Sequence, residues 1–189
     1  MKGDDCFDLN CIDNVTKYIF AHLFVEKRTI KKCVEFLSQI KITCYNQILL
    51  KYYIEKYKKV KERKLIMFVC DGFVNYRTAF NKLFYNVAKL QFGVPIACKK
   101  YNLEHNNNPI ERYNGKIKDR IKTMRGGFGS FKTAESFMNL QHIINNFVNP
   151  HQELKDKTPA EIAEINLKLG RNKLLNLIEY LANEDIPRS

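Results

Sequence analysis

The chain has 189 residues, of which 45% are hydrophobic, and carries a formal net charge of +12 at pH 7 with a pI of about 9.4. This length and hydrophobic content fit one globular domain with a real core and exclude an intrinsically disordered chain. The positive charge favours an anionic partner, and nucleic acid is the first candidate. Solubility, or a composition biased towards Lys, Asn and Ile, is the alternative explanation.

The cysteines and the apolar runs indicate the compartment. Six cysteines stand at positions 6, 11, 33, 44, 70 and 98 without a C-x-x-C pair, which predicts reduced thiols in the cytoplasm. No apolar run approaches the ~18–20 residues that a membrane span needs. The first ten residues, MKGDDCFDLN, do not resemble a signal peptide. We therefore expect a cytoplasmic protein without a membrane partner.

The first half of the chain alternates predicted strands and helices. Period-two and β-branched segments predict a hairpin with a turn at Asp13-Asn14, and helical spacing of apolar residues predicts two helices. The second helix, with Val60 facing inward, ends in the run KYKKVKERK, which is most often a solvated face but can also reach phosphate. A continuous apolar run then predicts a strand covered on both faces. The predicted ranges are 7–13 and 16–25 for the hairpin, 29–40 and 47–64 for the helices, and 65–70 for the strand.

The second half of the chain is mainly helical. The glycine cluster at 126–129 separates two of its predicted helices by a sharp turn. Helices are predicted over 75–90, 109–125, 132–148, 159–165 and 171–183, with one strand over 94–98. This order of elements predicts an α/β domain with a central mixed sheet.

Two carboxylates stand where metal chemistry could use them. Asp71 ends the apolar strand and Glu111 lies in the first turn of a strongly basic helix, on a face shared with Asn114, Gly115 and Lys118. The opposite face of that helix is predicted to turn towards the core through three isoleucines, Ile110, Ile117 and Ile121. Carboxylates that converge from distant positions can hold Mg²⁺ for phosphoryl transfer. The structural alternatives are ordinary Asp-Gly turn chemistry for Asp71 and a favourable helix-dipole contact for Glu111.

Three stretches carry a resemblance to a known family. The run from Asn108 to Gly126, NPIERYNGKIKDRIKTMRG, resembles the third acidic motif of the DDE transposases of bacterial and archaeal insertion sequences. The segment CDGFVNYRTAF from Cys70 resembles their second motif, and NNFVNPH from Asn145 with KTPAE from Lys157 resembles their tail. The similarity covers roughly residues 7–165.

The resemblance implies a fold, a reaction and a set of residues. The expected fold is RNase H-like, as in retroviral integrases, with a mixed sheet flanked by helices. The expected activity is DNA transposition by phosphodiester hydrolysis and strand transfer, with Asp71 and Glu111 as the catalytic ligands of Mg²⁺ or Mn²⁺. The expected partners are transposon-end and target DNA, and a second copy or a full-length transposase. Candidate DNA contacts are Arg112, Asn114, Lys116, Lys118, Arg120, Lys122 and Arg125.

The sequence departs from the family at its beginning. Cys11 to Ile19 resembles the family's turn between the second and third strands, so the first catalytic Asp and its strand have no counterpart. The hypothesis is an N-terminally truncated or frame-split transposase, with a partial core over 1–165, a helical tail over 166–189 and little strand transfer by this chain alone. The alternative is a non-catalytic relic that binds DNA, or binds a full-length transposase and inhibits it. A different RNase H-like nuclease fits the tail motif less well.

Overall fold

The structure is a computed structural model that describes residues 6–92, 108–124, 127–165 and 167–184. These residues form two compact units. The first unit comprises the described residues of 6–11 and 20–124, and the second unit comprises those of 12–19 and 127–184. Over the described ranges the chain is a mixed α/β protein with two separate two-stranded sheets and six α-helices. The predicted α/β class is confirmed.

The described elements follow one another in the order strand, strand, helix, strand, helix, strand and then four helices. They are β1 Phe7–Ile12, β2 Ile19–Val25, α1 Ile30–Glu55, β3 Met67–Cys70, α2 Val74–Phe84, β4 Lys89–Phe92, α3 Asn108–Thr123, α4 Phe131–Phe147, α5 Pro159–Ile162 and α6 Lys173–Glu184, with 3₁₀ turns at Val60–Glu62 and Gln152–Leu154. The hairpin prediction is confirmed, since β1 pairs with β2 and the Asp13 carboxylate accepts from the Thr16 N–H at 2.7 Å in the turn.

Helix α1 replaces the two separate helices predicted over 29–40 and 47–64. It begins after Thr29, whose hydroxyl accepts from the Lys32 N–H at 3.3 Å, as expected of an N-cap. It then continues across Cys44, whose non-helical φ of −133° marks a kink rather than an end. Cys33, Ile40 and Ile48 are buried along it, and the helix packs against α2.

The carboxylate of Glu55 fixes the point at which α1 ends. Its side chain is only 3% exposed, yet it accepts from the Lys64 N–H at 2.9 Å and from Lys58 Nζ at 2.9 Å, with Lys51 Nζ at 3.6 Å. These bonds fold the following residues back on the helix end, so the helix stops nine residues before the predicted Lys64. Val60, predicted to face inward, is 70% exposed.

Strands β3 and β4 are parallel, with Met67 opposite Lys89 and Cys70 opposite Phe92. Helix α2 stops at Phe84 and Asn86 adopts a left-handed φ of 63°, so the predicted helix over 75–90 was too long and β4 begins at Lys89. Residues of β3 are half-buried, whereas the sequence predicted a strand covered on both faces. The predicted strand over 94–98 lies outside the described residues.

Three phenylalanine rings join α2 to β3. Phe68 lies 5.4 Å from Phe80 and 5.3 Å from Phe84, and the two helix rings lie 5.3 Å apart. Phe84 is fully buried and Phe80 is 3% exposed. Aromatic contacts of this kind dominate core energetics because each ring buries a large apolar area. They hold the first unit's parallel strand pair against α2.

In the second unit, the side chain of Asn146 on α4 binds one backbone residue twice. Its Oδ1 accepts from the Ile19 N–H at 3.0 Å and its Nδ2 donates to the Ile19 carbonyl at 2.8 Å. One ring contact accompanies them, since Tyr18 packs edge-on against Phe147 at 6.1 Å. The amide therefore satisfies both backbone groups of a buried residue, as buried polar groups require.

The remaining tail residues also have structural roles. The Thr158 hydroxyl accepts from the Glu161 N–H at 3.3 Å while Glu161 Oε2 accepts from the Thr158 N–H at 2.8 Å, which is a capping box at the start of α5. The His151 backbone N–H donates to the Lys157 carbonyl at 3.0 Å, and its ring Nε2 is hydrogen-bonded to Asn145 Oδ1 at 3.4 Å, so this residue has a structural role. Helix α6 packs against α4, so part of the predicted 166–189 tail belongs to this unit.

We predict that Asn146→Ala destabilises the protein by about 1–3 kcal/mol, because it leaves the buried N–H and carbonyl of Ile19 without a partner. Denaturant unfolding followed by circular dichroism measures the change. The matched control is Asn139→Ala, an exposed asparagine on the same helix, which should change the free energy of unfolding by less than ~0.5 kcal/mol. Equal effects of the two substitutions would contradict the assigned role of Asn146.

A second prediction concerns the stability of the protein at acid pH. The Lys64 N–H and the Lys58 ammonium lower the pKa of Glu55 to about 2 from its ordinary 4.5. A depressed pKa contributes stability that is present above 4.5 and is lost as the pH falls through about 2. Wild type should therefore be more stable than Glu55→Gln at pH 7, and the difference should shrink between pH 4.5 and pH 2. Exposed Glu62→Gln, on the neighbouring 3₁₀ turn, should show no such pH-dependent difference.

Candidate active site

Asp71 follows directly on Cys70, the last residue of β3. Its side chain is 54% exposed, at the carboxyl end of a strand in a parallel pair, which is where open α/β sheets present ligand-binding groups. One oxygen, Oδ1, accepts from the Phe73 N–H at 3.2 Å. This bond is turn chemistry of the kind predicted as the structural alternative, and it orients the carboxylate before α2 begins.

The other oxygen of Asp71 is held by a cation that sequence reasoning missed. Arg28 Nη1 donates to Asp71 Oδ2 at 3.2 Å, and the guanidinium lies over two rings, 4.7 Å from the centroid of Phe7 and 4.2 Å from that of Phe73. The Arg28 carbonyl accepts from Asn75 Nδ2 at 2.9 Å. Arg28 therefore neutralises the carboxylate and links the segment that follows β2 to the start of α2.

The thiol next to Asp71 is not a nucleophile at neutral pH. Burial, and then the neighbouring Asp71 carboxylate, raise the pKa of Cys70 to about 12. Burial also raises the pKa of Cys33 and of Tyr76, which face the same carboxylate. Since the thiolate is the reactive form of cysteine, a raised pKa keeps both thiols protonated at neutral pH.

Glu111 lies in the first turn of α3 and is exposed. It makes no hydrogen bond or ion pair with any other residue that the structure describes. Tyr113 and Ile117 are each 5% exposed and Ile110 and Ile121 are half-buried, so the predicted core-facing isoleucine stripe is confirmed and also includes a tyrosine.

Helix α3 is anchored to β1 next to Glu111. Asn114 Oδ1 accepts from Asn10 Nδ2 at 3.3 Å, and Asn10 also donates to the Asp8 carboxylate at 2.9 Å. Burial, with a smaller contribution from Asp8, raises the pKa of Tyr113. The anchor makes Asn114, a candidate DNA contact, half-buried and engaged in packing. No contact between the described residues joins the Asp71 and Glu111 carboxylates, although both belong to the first unit.

The remaining candidate DNA contacts lie outside the buried stripe of α3. All five side chains are exposed, and Lys122 Nζ pairs with Asp119 at 3.2 Å across one helical turn. Such a surface pair contributes little to stability, so the lysine is available to a phosphate at small cost. These residues are Arg112, Lys116, Lys118, Arg120 and Lys122, whereas Arg125 lies outside the described residues.

No protein-family model matches the chain, and no curated protein is significantly similar to it. In the part of the chain that the structure describes, none of the helices combines the length and apolar character of a membrane span.

We predict that Arg28→Ala destabilises the protein by about 1–2 kcal/mol, because it removes two cation–π contacts together with the ion pair. Asp71→Asn should cost less than ~1 kcal/mol, since the exposed ion pair is screened and the ring contacts remain. Thermal and denaturant unfolding of both variants measure the difference. The exposed neighbour Lys27→Ala serves as the control, and an Arg28→Ala variant as stable as that control would contradict the assignment.

Proposed function

We propose that the chain is a partial catalytic core of a DDE transposase, a class of enzyme that acts on DNA by phosphodiester hydrolysis and strand transfer on an RNase H-like fold, and that it has little strand-transfer activity alone. One observation supports it most: an exposed aspartate at the carboxyl end of a parallel strand and an exposed glutamate in the first turn of a basic helix occur in one compact unit. This pair of positions is the one that the motif resemblance implies.

The chemistry of the two side chains fits Mg²⁺ or Mn²⁺. Asp71 and Glu111 would hold the ion, because both offer hard carboxylate oxygens at the surface. When bound, such an ion stabilises charge that develops on the oxygens of a phosphoryl group and lowers the pKa of bound water. Arg28 competes for Asp71 Oδ2, so release of that ion pair accompanies loading of the site.

The side chains of α3 would position the substrate. Its exposed cations run along the surface beyond Glu111, where they can bind successive phosphates of a DNA strand. In hydrolysis, water attacks the phosphorus and the bond to the 3′-oxygen breaks, which leaves a 3′-hydroxyl and a 5′-phosphate. In strand transfer, that 3′-hydroxyl attacks a phosphodiester of the target and displaces its 3′-oxygen. A second copy of the chain or a full-length transposase is the proposed protein partner.

The second candidate function is DNA binding without catalysis, in a relic that binds DNA or a full-length transposase. The ion pair between Arg28 and Asp71 favours it, since a guanidinium already neutralises the carboxylate that would bind the metal. In this case the cations of α3 bind phosphates and the two carboxylates have only the turn and helix-end roles described above.

Metal and salt separate the two functions. For the enzyme, we expect Mn²⁺ binding, measured by electron paramagnetic resonance, and slow metal-dependent nicking of supercoiled plasmid. Asp71→Asn and Glu111→Gln should abolish both while leaving DNA binding unchanged. Asp119→Asn, which removes an exposed carboxylate from the same helix, is the matched control and should retain both.

DNA binding by either form should weaken steeply with salt, because phosphate neutralisation releases counterions. Binding of DNA without any binding of Mn²⁺ would support the non-catalytic candidate and overturn the enzyme. Nicking that persists in both carboxylate variants would show that Asp71 and Glu111 are not the catalytic ligands. A protein that binds neither metal nor DNA would contradict both functions.

A further inference from the structure

A pocket of about 540 Å³ lies in the first unit, at the other end of the parallel strands from Asp71. Its lining comes from the end of α1, the turn after it, α2 and the beginning of β4. Leu65 precedes β3 and Ala88 precedes β4, whereas Asp71 follows the last residue of β3. The volume lies within the ~300–1,000 Å³ typical of small-ligand sites.

Three cations line this pocket. Arg63 is fixed by its donation to two carbonyls, from Nη2 to Lys56 at 2.7 Å and from Nε to Lys58 at 3.0 Å. Lys89 Nζ donates to the Arg63 carbonyl at 3.2 Å. The Arg77 guanidinium lies 4.7 Å from the ring centroid of Phe92, the last residue of β4, so it is on the side of the pocket towards Asp71. None of the described lining residues is acidic. Cations held in place without a carboxylate partner in the lining favour an anion, and arginine suits phosphate in particular.

Aromatic rings and amides complete the lining. Tyr85 is 69% exposed, and Tyr52 and Phe80 contribute further ring surface. Asn81 and Asn86 supply amide groups that can both donate and accept hydrogen bonds. A base stacks on exposed aromatic rings regardless of its identity, and amides can bind its polar edge. The pocket thus offers partners for both the phosphate and the base of one nucleotide.

The surface beside the pocket has the same character. Residues 51–64 contain seven Lys or Arg and two Glu, with three tyrosines among them. Lys56 Nζ lies 4.7 Å from the ring centroid of Tyr53 and 4.8 Å from that of Tyr57, and these rings are 53% and 85% exposed. Alternation of exposed rings and cations is the pattern of surfaces that bind single-stranded nucleic acid. Tyr52 and Val60 of this segment also line the pocket, so the two surfaces are continuous.

We propose that this pocket binds a nucleotide unit, with the phosphate on Arg63 and Lys89 and the base on Tyr85. The nucleotide is either free in solution or part of a single strand that continues over Tyr53 and Tyr57. Neither Asp71 nor Glu111 lines the pocket, and nucleotide binding there needs no metal, so the proposal does not depend on the proposed chemistry of those two carboxylates.

The test uses the full chain and a fluorescein-labelled oligothymidylate of about ten nucleotides, with binding followed by fluorescence anisotropy. Lys89→Gln and Tyr85→Ala should each bind at least ~fivefold more weakly. The matched control is Lys82→Gln, which removes one exposed charge from α2 outside the pocket and should stay within ~twofold of wild type. Binding should persist in EDTA and in Asp71→Asn, so failure of the proposed catalysis would leave this result intact.

Competition with thymidine 5′-monophosphate separates the two sources. If thymidine monophosphate displaces the oligonucleotide at concentrations close to the oligonucleotide's own Kd, the ligand is a free nucleotide. If displacement needs concentrations ~100-fold or more above that Kd, the ligand is a single strand. Photo-cross-linking with 5-iododeoxyuridine in the oligonucleotide gives a readout that does not depend on variant folding, and the cross-linked peptide should contain Tyr85 or Tyr52. Equal binding by wild type and the pocket variants, equal weakening by Lys82→Gln, or cross-links confined to other peptides would overturn the proposal.

Discussion

The contact among Phe68, Phe80 and Phe84 is the interaction on which the rest of the first unit depends. It seats α2 on β3, and α2 in turn packs against α1 and β4. Because β3 and β4 are parallel, this single contact fixes both ends of the strand pair. Asp71 emerges at the carboxyl end, and Phe80 itself lines the pocket at the amino end. A shift of α2 on the sheet would therefore move both proposed sites together.

The two ends of the strand pair differ in how their charges are satisfied. At the carboxyl end, Arg28 and Asp71 neutralise each other, and two rings flank the guanidinium. At the amino end, Arg63 and Lys89 bond to backbone carbonyls, which orient the cations without cancelling their charge. The first arrangement stabilises a closed local structure, whereas the second preserves positive charge for an anion. Net charge alone would not have separated these two situations.

The sequence predicted those features that depend on local periodicity and turn chemistry. The hairpin at Asp13, the buried stripe of α3 and the start of α5 at Pro159 follow from residues within a few positions of one another, although α5 ends at Ile162 rather than at the predicted 165. The continuity of α1 across Cys44 was missed, because its buried positions are interrupted between Ile40 and Ile48. The early end of α2 was missed, because Tyr85 leaves the helix through an extended ψ of 128° that composition does not reveal. An RNase H-like arrangement of the strands remains a proposal.

The candidate site was predictable only in part, for a similar reason. Asp71 and Glu111 were found because each lies in a recognisable segment. Arg28 stands 43 residues before its partner Asp71, and no local pattern marks it. The pocket draws its cations from three separate elements, of which only the run ending at Lys64 was noticed as a charged segment. Contacts between distant segments are set by packing, and packing is not visible in periodicity.

The residues that resemble the transposase motifs fall into two groups in the structure. The side chains of Asn146, Thr158 and His151 each make hydrogen bonds within the second unit, so their presence is explained by folding. Glu111 is exposed in a first helical turn, where a carboxylate contributes only a few tenths of a kcal/mol to about 1 kcal/mol through the helix dipole. Many residues would serve stability equally well at that position. The residues of the tail motif therefore serve the folding of the second unit. The proposal of phosphoryl-transfer chemistry depends on Glu111 together with Asp71.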